Sequence, residues 1–155
     1  HLSIKLTQNV SLENKGNFSY NILGGTIFGN SELAFMDSKH LNGNQTHVNL
    51  EDNYLSSFKN LGYYDLSSLE NYFEYHLEHD FNGYILGKIP LLNSLNYNLI
   101  IGAHSFSTEQ QNPYQEYSLG INNIGWGKYR FLRIDYVRSY QSGFINDGVL
   151  FGISL

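Results

Sequence analysis

From residue 69 to residue 81 apolar and polar side chains take turns. Leu69, Phe73, Tyr75, Leu77 and Phe81 fill the odd positions, where only Asn71 and His79 are polar. Glu70, Tyr72, Glu74, His76, Glu78 and Asp80 fill the even ones. Successive side chains of a strand point to opposite faces, so this segment has one apolar and one ionisable face. Wound as a helix, the same residues would scatter Glu and Phe around the circumference, and the period therefore predicts a strand. It is longer than the usual strand of about 5–6 residues. A long strand, aromatic on one side and ionisable on the other, suits a wall between lipid and water.

The same alternation predicts six further strands. Residues 2–10 set Leu2, Ile4, Leu6 and Val10 against Ser3, Lys5, Thr7 and Asn9. After a turn signal at Asn14 and Gly16, residues 17–28 put Phe18, Tyr20, Ile22 and Phe28 on one face. Gly24 and Gly25 within that strand suggest a bend or a close backbone approach. Residues 97–106 oppose Tyr97, Leu99, Ile101 and Ala103 to Asn98, Gly102 and His104. Residues 115–123 oppose Tyr117, Leu119 and Ile121 to Glu116, Ser118, Gly120 and Asn122. In 129–140, Leu132, Ile134, Tyr136 and Tyr140 stand opposite Arg133 and Asp135, whose face also takes Phe131 and Val137. Residues 149–155 complete the set with Val149, Phe151, Ile153 and Leu155 on one face.

Between these strands the pattern dissolves. Residues 29–61 are rich in Asn, Gly, Asp and Ser and read as one long loop, of a length that is usually functional or lid-like. Residues 81–95 read as a short apolar turn or helix, broken by Gly83 and Pro90. The connections at 107–113 and 141–148 are polar, whereas 124–128 is tight and carries the single Trp. Longer polar loops alternating with short turns are the asymmetry of an outer-membrane barrel, which would put the C-terminal residue on the periplasmic side. The 29–61 loop would then be extracellular or folded into the lumen.

A hairpin through 124–128 brings Tyr117 near Ile134 and Leu119 near Leu132. It sets Glu116 and Ser118 beside Arg133 and Asp135 and offers a Glu116–Arg133 contact. The next hairpin sets Gly152 and Ser154 beside Asp135 and Arg133, with room for the guanidinium. One register satisfies both faces.

Composition narrows the function classes. A net charge of −5 with only 9 Lys+Arg argues against a nucleic-acid partner. Without cysteine there is neither a disulfide framework nor thiolate chemistry. No apolar run approaches the roughly 20 residues of a membrane helix, which excludes helical spans only. The sequence opens on His1, and its first residues already alternate, which favours a piece of a longer chain over a processed one.

Glu74, His76, Glu78 and Asp80 share a face, and their types suit Zn²⁺ or Mn²⁺. Alternate positions of one strand lie about 6.6 Å apart, however, too far to converge on one ion. The reading is therefore a hydrated lumen wall and no metal. His104 and Ser105 beside Glu116 raise a Ser/His hydrolase, but strand neighbours face opposite sides, and no G-x-S-x-G elbow occurs. Gly-rich residues 21–30 lack the Lys-Ser/Thr partner of a phosphate loop. Arg133 and Asp135 read as an ion pair inside the wall. Trp126, Tyr129, Tyr136, Tyr140, Phe81 and Tyr97 read as interfacial girdles.

Several motifs in order carry a resemblance. They are Leu41-Asn42-Gly43-Asn44-Gln45-Thr46, Tyr72-Phe73-Glu74, His76-Leu77-Glu78-His79, Phe81-Asn82-Gly83 and Ile89-Pro90-Leu91-Leu92. Together they resemble the C-terminal part of Bacteroidota outer-membrane proteins of unknown function that carry a carboxypeptidase-regulatory-like domain near the N-terminus. Residues 117–123 and 131–138 resemble that family's closing strands, and the likeness runs from about Asn17 onward. The layout is similar to the BamA/TamA-type assembly-factor superfamily, in which a long loop folds back into the lumen. The loop bearing Gly43, Asn44, Gln45 and Thr46 takes that place here. The Arg-Gly-Phe/Tyr motif of the assembly factors is missing. The resemblance implies a large barrel whose earlier strands and N-terminal domain lie outside this sequence.

The expected fold is all-β: an antiparallel transmembrane β-barrel, of which residues 1–155 form the C-terminal portion of about seven strands. Lys5, Glu74, His76, Glu78 and Asp80 face its lumen, with Glu116, Arg133 and Asp135. The expected function is non-catalytic, in envelope assembly, export or transport within a larger outer-membrane complex, with no cofactor. Outer-membrane lipid and other outer-membrane proteins are the expected partners. A soluble all-β ligand- or partner-binding module, burying the apolar face against itself, is the alternative.

Overall fold

The computed structural model describes residues 1–28, 38–43, 48–50, 55–62 and 65–153. Its main elements are β1 (Leu2–Ser11), β2 (Asn17–Thr26), β3 (Lys39–His40), β4 (Val48–Leu50) and β5 (Ser67–Ser68). Five longer strands follow: β6 (Tyr72–Asp80), β7 (Asn98–Thr108), β8 (Tyr114–Trp126), β9 (Tyr129–Tyr140) and β10 (Phe144–Ile153). The fold is all-β, with no α-helix among the described residues. Seven strands form an antiparallel meander in the order β1-β2-β6-β7-β8-β9-β10, and short β4 adds parallel to β10. The sheet is open, and β3 pairs with β5 in a separate two-stranded piece.

The faces fall as the alternation predicts, but burial is inverted relative to a water-soluble sheet. Phe73, Tyr117, Leu119, Ile134 and Phe151 stand exposed on one face, Leu119 at 53%. Glu74, His76, His104, Glu116, Arg133 and Asp135 are buried on the other. That polar face is concave: Asn9 of β1 and Ile153 of β10 line one cavity of about 240 Å³. The small hydrophobic core also sits on this side. Leu41, Phe58 and Leu61 from the long connection pack there on Tyr72, Phe106 and Tyr114 of the sheet.

Turn chemistry sets where strands end. Gly16 closes the β1–β2 turn at φ +104°, where a Cβ would also overlap the Asp80 carbonyl. The β8–β9 turn is tighter than expected: only Gly127 and Lys128 separate the strands, with Gly127 at φ +58° in the first central position. Register shifts near Ile124 carry β8 through residues read as a loop. The position of the two-residue turn moves the pairing by four residues. Leu119 faces Tyr136, Ile121 faces Ile134, and Glu116 faces Ser139, so the expected Glu116–Arg133 contact does not form. Gly152 pairs with Arg133 instead of Asp135, a shift of two. Even shifts leave every face intact.

Two connections also differ. Strand β10 starts at Phe144, five positions before the expected 149, because a bulge between Phe144 and Asn146 breaks its alternation. The apolar 81–97 connection, with 3-10 turns at Leu86–Lys88 and Asn93–Leu95, lies at the same end of the sheet as the Gly127 turn. Long and short connections thus do not segregate to opposite ends as the sequence suggested.

Candidate functional site

The long connection turns back so that residues 55–62 cross the concave face. Asn21 Nδ2 donates to Ser56 Oγ at 3.1 Å, and the Phe58 N–H donates to the Asn42 carbonyl at 2.8 Å. Phe58, wholly buried, is wedged between rings: His76 at 4.9 Å, Tyr114 at 5.4 Å and His104 at 6.5 Å between centroids. A phenyl group among ring edges gains dispersion and favourable quadrupole contacts.

Beyond the phenyl ring, the backbone is held by one carboxylate. Glu116 accepts the N–H of Lys59 at 2.7 Å, the N–H of Asn60 at 2.9 Å and the Tyr114 hydroxyl at 2.7 Å. Three donors on a buried carboxylate replace the water it has lost. Asn60 Nδ2 donates to Ser139 Oγ at 3.1 Å and also to Asn146.

Lys59 is 1% exposed, and its ammonium group bonds the Glu78 carboxylate. Glu78 also accepts a forked pair of bonds from Arg133, each 3.0 Å. Arg133 in turn grips Asp135 at 2.8 and 2.9 Å. The guanidinium thus bridges two carboxylates in the planar geometry that arginine favours. Glycines make space for these groups: Gly102 pairs with Glu78, Gly120 with Asp135 and Gly152 with Arg133. A Cβ at Gly120 would overlap the Asp135 carboxylate.

A second chain of polar contacts runs toward the other end of the sheet. His76 and His104 meet at 2.9 Å between their Nδ1 atoms, so one ring donates the proton that the other accepts. His76 Nε2 lies 2.8 Å from Glu74, whose second oxygen is 3.6 Å from the Lys39 ammonium. His104 Nε2 has no hydrogen-bond partner among the described residues and sits 4.0 Å from Glu78.

Six of the residues singled out from sequence therefore converge: Glu74, His76, Glu78, Glu116, Arg133 and Asp135. Asp80 shares their face and lines the same cavity as Glu78 and Arg133, but its hydrogen bonds go elsewhere: it accepts from Asn122 at 2.9 Å and from the Asn82 N–H at 2.7 Å. Lys5 stands exposed on β1, where every residue but Val10 is exposed, and takes no part in the cluster. Gly43 is buried, and a Cβ there would press on the carbonyls of Leu61 and Gly62. Asn44, Gln45 and Thr46 lie outside the described residues. Among the described residues no three His, Asp or Glu side chains form a metal-ligating group. His104 and Ser105 are both buried, on opposite faces.

Lys59 and Phe58 were not foreseen. The residues around them carry no period, and what selects them is an acidic and aromatic wall far away in sequence. Chemically, the assembly is a clamp: a segment of the chain is held on a charged wall by salt bridges, backbone donors and one buried ring.

No curated protein and no solved structure matches the chain. Residues 1–121 match the C-terminal domain of a family of unknown function, DUF5686. This match reaches further toward the N-terminus than the expected start near Asn17, and it ends within β8, inside the first of the two segments read as closing strands. With more than three quarters of its length matched, the chain belongs to the DUF5686 family, as its C-terminal domain.

Proposed function

We propose that the chain forms the C-terminal part of an integral outer-membrane β-barrel. Its role is non-catalytic, in envelope assembly, export or transport within a larger outer-membrane complex of Bacteroidota. The observation carrying this reading is the inversion of the sheet: aliphatic and aromatic side chains stand exposed while carboxylates, histidines and an arginine are buried. A barrel wall needs that distribution, apolar toward acyl chains and polar toward the lumen. The resemblance to proteins with a carboxypeptidase-regulatory-like domain, and the layout similar to the BamA/TamA-type superfamily, support the same location. An open sheet in lipid would leave edge N–H and C=O groups unsatisfied at several kcal/mol each, so further strands complete the wall beyond β1. Outer-membrane lipid and neighbouring outer-membrane proteins are its partners, and the acidic net charge suits no nucleic acid.

Within this reading, residues 55–62 are a plug on the lumen wall. The full-length protein is expected to leave membranes only with detergent and to lose dispersity once detergent is removed. A protein that stays monodisperse in plain buffer would be the soluble module instead. Deleting residues 29–61 should raise single-channel conductance if the role is transport, and leave it unchanged if the role is docking.

A further inference from the structure

The connections 12–16, 81–97 and 127–128 lie at one end of the meander. That end is basic. Exposed Lys15, Lys88 and Lys128 lie there with half-buried Arg130 at the start of β9, against two acids, Glu13 and Asp80 at the end of β6. In a chain of net charge −5 this is a local reversal of sign. At the opposite end the described connections carry Asp65, Glu70 and Glu109, while their two lysines turn inward to Glu74 and Glu78.

The basic end is also greasy. Leu91 is 87% exposed, and Trp126 and Tyr129 are 89% and 76% exposed. Leu91 sits at φ +77°, an uncommon conformation for a residue other than glycine. Lys88 lies 3.5 Å above the centre of the Tyr84 ring. Arg130 donates to the Leu95 carbonyl, and Asn123 donates to the Asn96 carbonyl at 2.6 Å. The 81–97 connection and the β8–β9 turn are therefore one surface.

Exposed cations rimming exposed leucine and tryptophan fit a layer with negative charge above and hydrocarbon below. Aromatic rings prefer that interface, and lysines are drawn to anionic headgroups. We infer that this end of the sheet binds the headgroups of anionic phospholipids, with Lys88 and Lys128 on phosphate and Leu91 and Trp126 beneath it. The inference rests on the membrane reading and adds the lipid class. The longest connection, residues 27–71 between β2 and β6, leaves from the opposite end, and outer-membrane barrels carry their longest loops outside, so within the membrane reading this end faces the periplasm and hence the phospholipid leaflet.

The test uses the full-length protein in lipid nanodiscs, with Trp126 fluorescence isolated by subtracting the signal of Trp126→Phe. Brominated phosphatidylglycerol, titrated into phosphatidylcholine discs, should quench Trp126 more strongly than brominated phosphatidylcholine does. Lys88→Gln and Lys128→Gln, both at exposed positions, should each lower that preference about five-fold, and added salt should weaken it. Equal quenching by the two lipids would overturn anion recognition while leaving the barrel intact. Absence of quenching by either, in protein that has entered discs, would remove this end from the bilayer altogether. Displacement of phosphatidylglycerol by added lipid A would overturn the assignment to phospholipid. Failure of the membrane reading shows separately, as protein that never enters discs.

Discussion

Glu78 joins two cations that come from very different parts of the chain, Lys59 and Arg133. Taking such charges out of water is costly, and each stays buried only while the other is present. Glu78→Gln is therefore expected to destabilise the protein by about 3–5 kcal/mol, read from denaturant unfolding in detergent. Lys59→Met combined with Glu78→Gln should cost less than the two singles added together, with a coupling of about 0.5–3 kcal/mol. Strict additivity would show that the two groups act independently. Arg133 keeps Asp135 in either variant, which is why the wall itself should survive.

At the scale of elements, residues 55–62 and the wall they lie on have separable stabilities. Glu116→Ala leaves the N–H groups of Lys59 and Asn60 without their acceptor. Each orphaned donor is worth about 1–3 kcal/mol, so those two amides should exchange with solvent roughly 10- to 100-fold faster. Amides of β8 and β9 should stay protected. Faster exchange throughout the sheet would mean instead that the segment and the wall unfold together. Phe58→Ala, which empties the pocket between His76, His104 and Tyr114, should cost about 3–5 kcal/mol by the same unfolding measurement.

Much of the wall was legible in the sequence, because period-2 alternation depends only on neighbours along the chain. That is why Glu74, His76, Glu78, Arg133 and Asp135 could be placed together on one face. Register was harder to read. The two-residue turn at Gly127 moved the pairing by four, which cancelled a Glu116–Arg133 contact, and Arg133 instead meets Glu78 on a strand three places away. Lys59 could not be read at all, since a lone cation in a patternless loop acquires meaning only from the distant carboxylate it meets.

For the whole molecule the decisive property is which side the greasy residues face. Ile134, 39% exposed near the middle of β9, offers a direct test. If that face meets acyl chains, Ile134→Arg should destabilise the protein in bilayers by about 2–4 kcal/mol. On a water-exposed sheet the same change should stay within about 0.5 kcal/mol. Folding measurements in vesicles separate the two outcomes, and a neutral result would take the membrane reading with it.

The clamp also constrains the order of events during folding. Lys59 is bonded by Glu116, 57 positions later, and Asn60 by Ser139, 79 positions later. Contacts this remote in sequence form slowly, because a long stretch of chain must be closed before they give any return. The segment is made well before β8 and β9, so it has to wait undocked while its landing place is assembled. Its seating is thus a late step, and a chain whose β8–β9 hairpin has not yet formed has nowhere to put it.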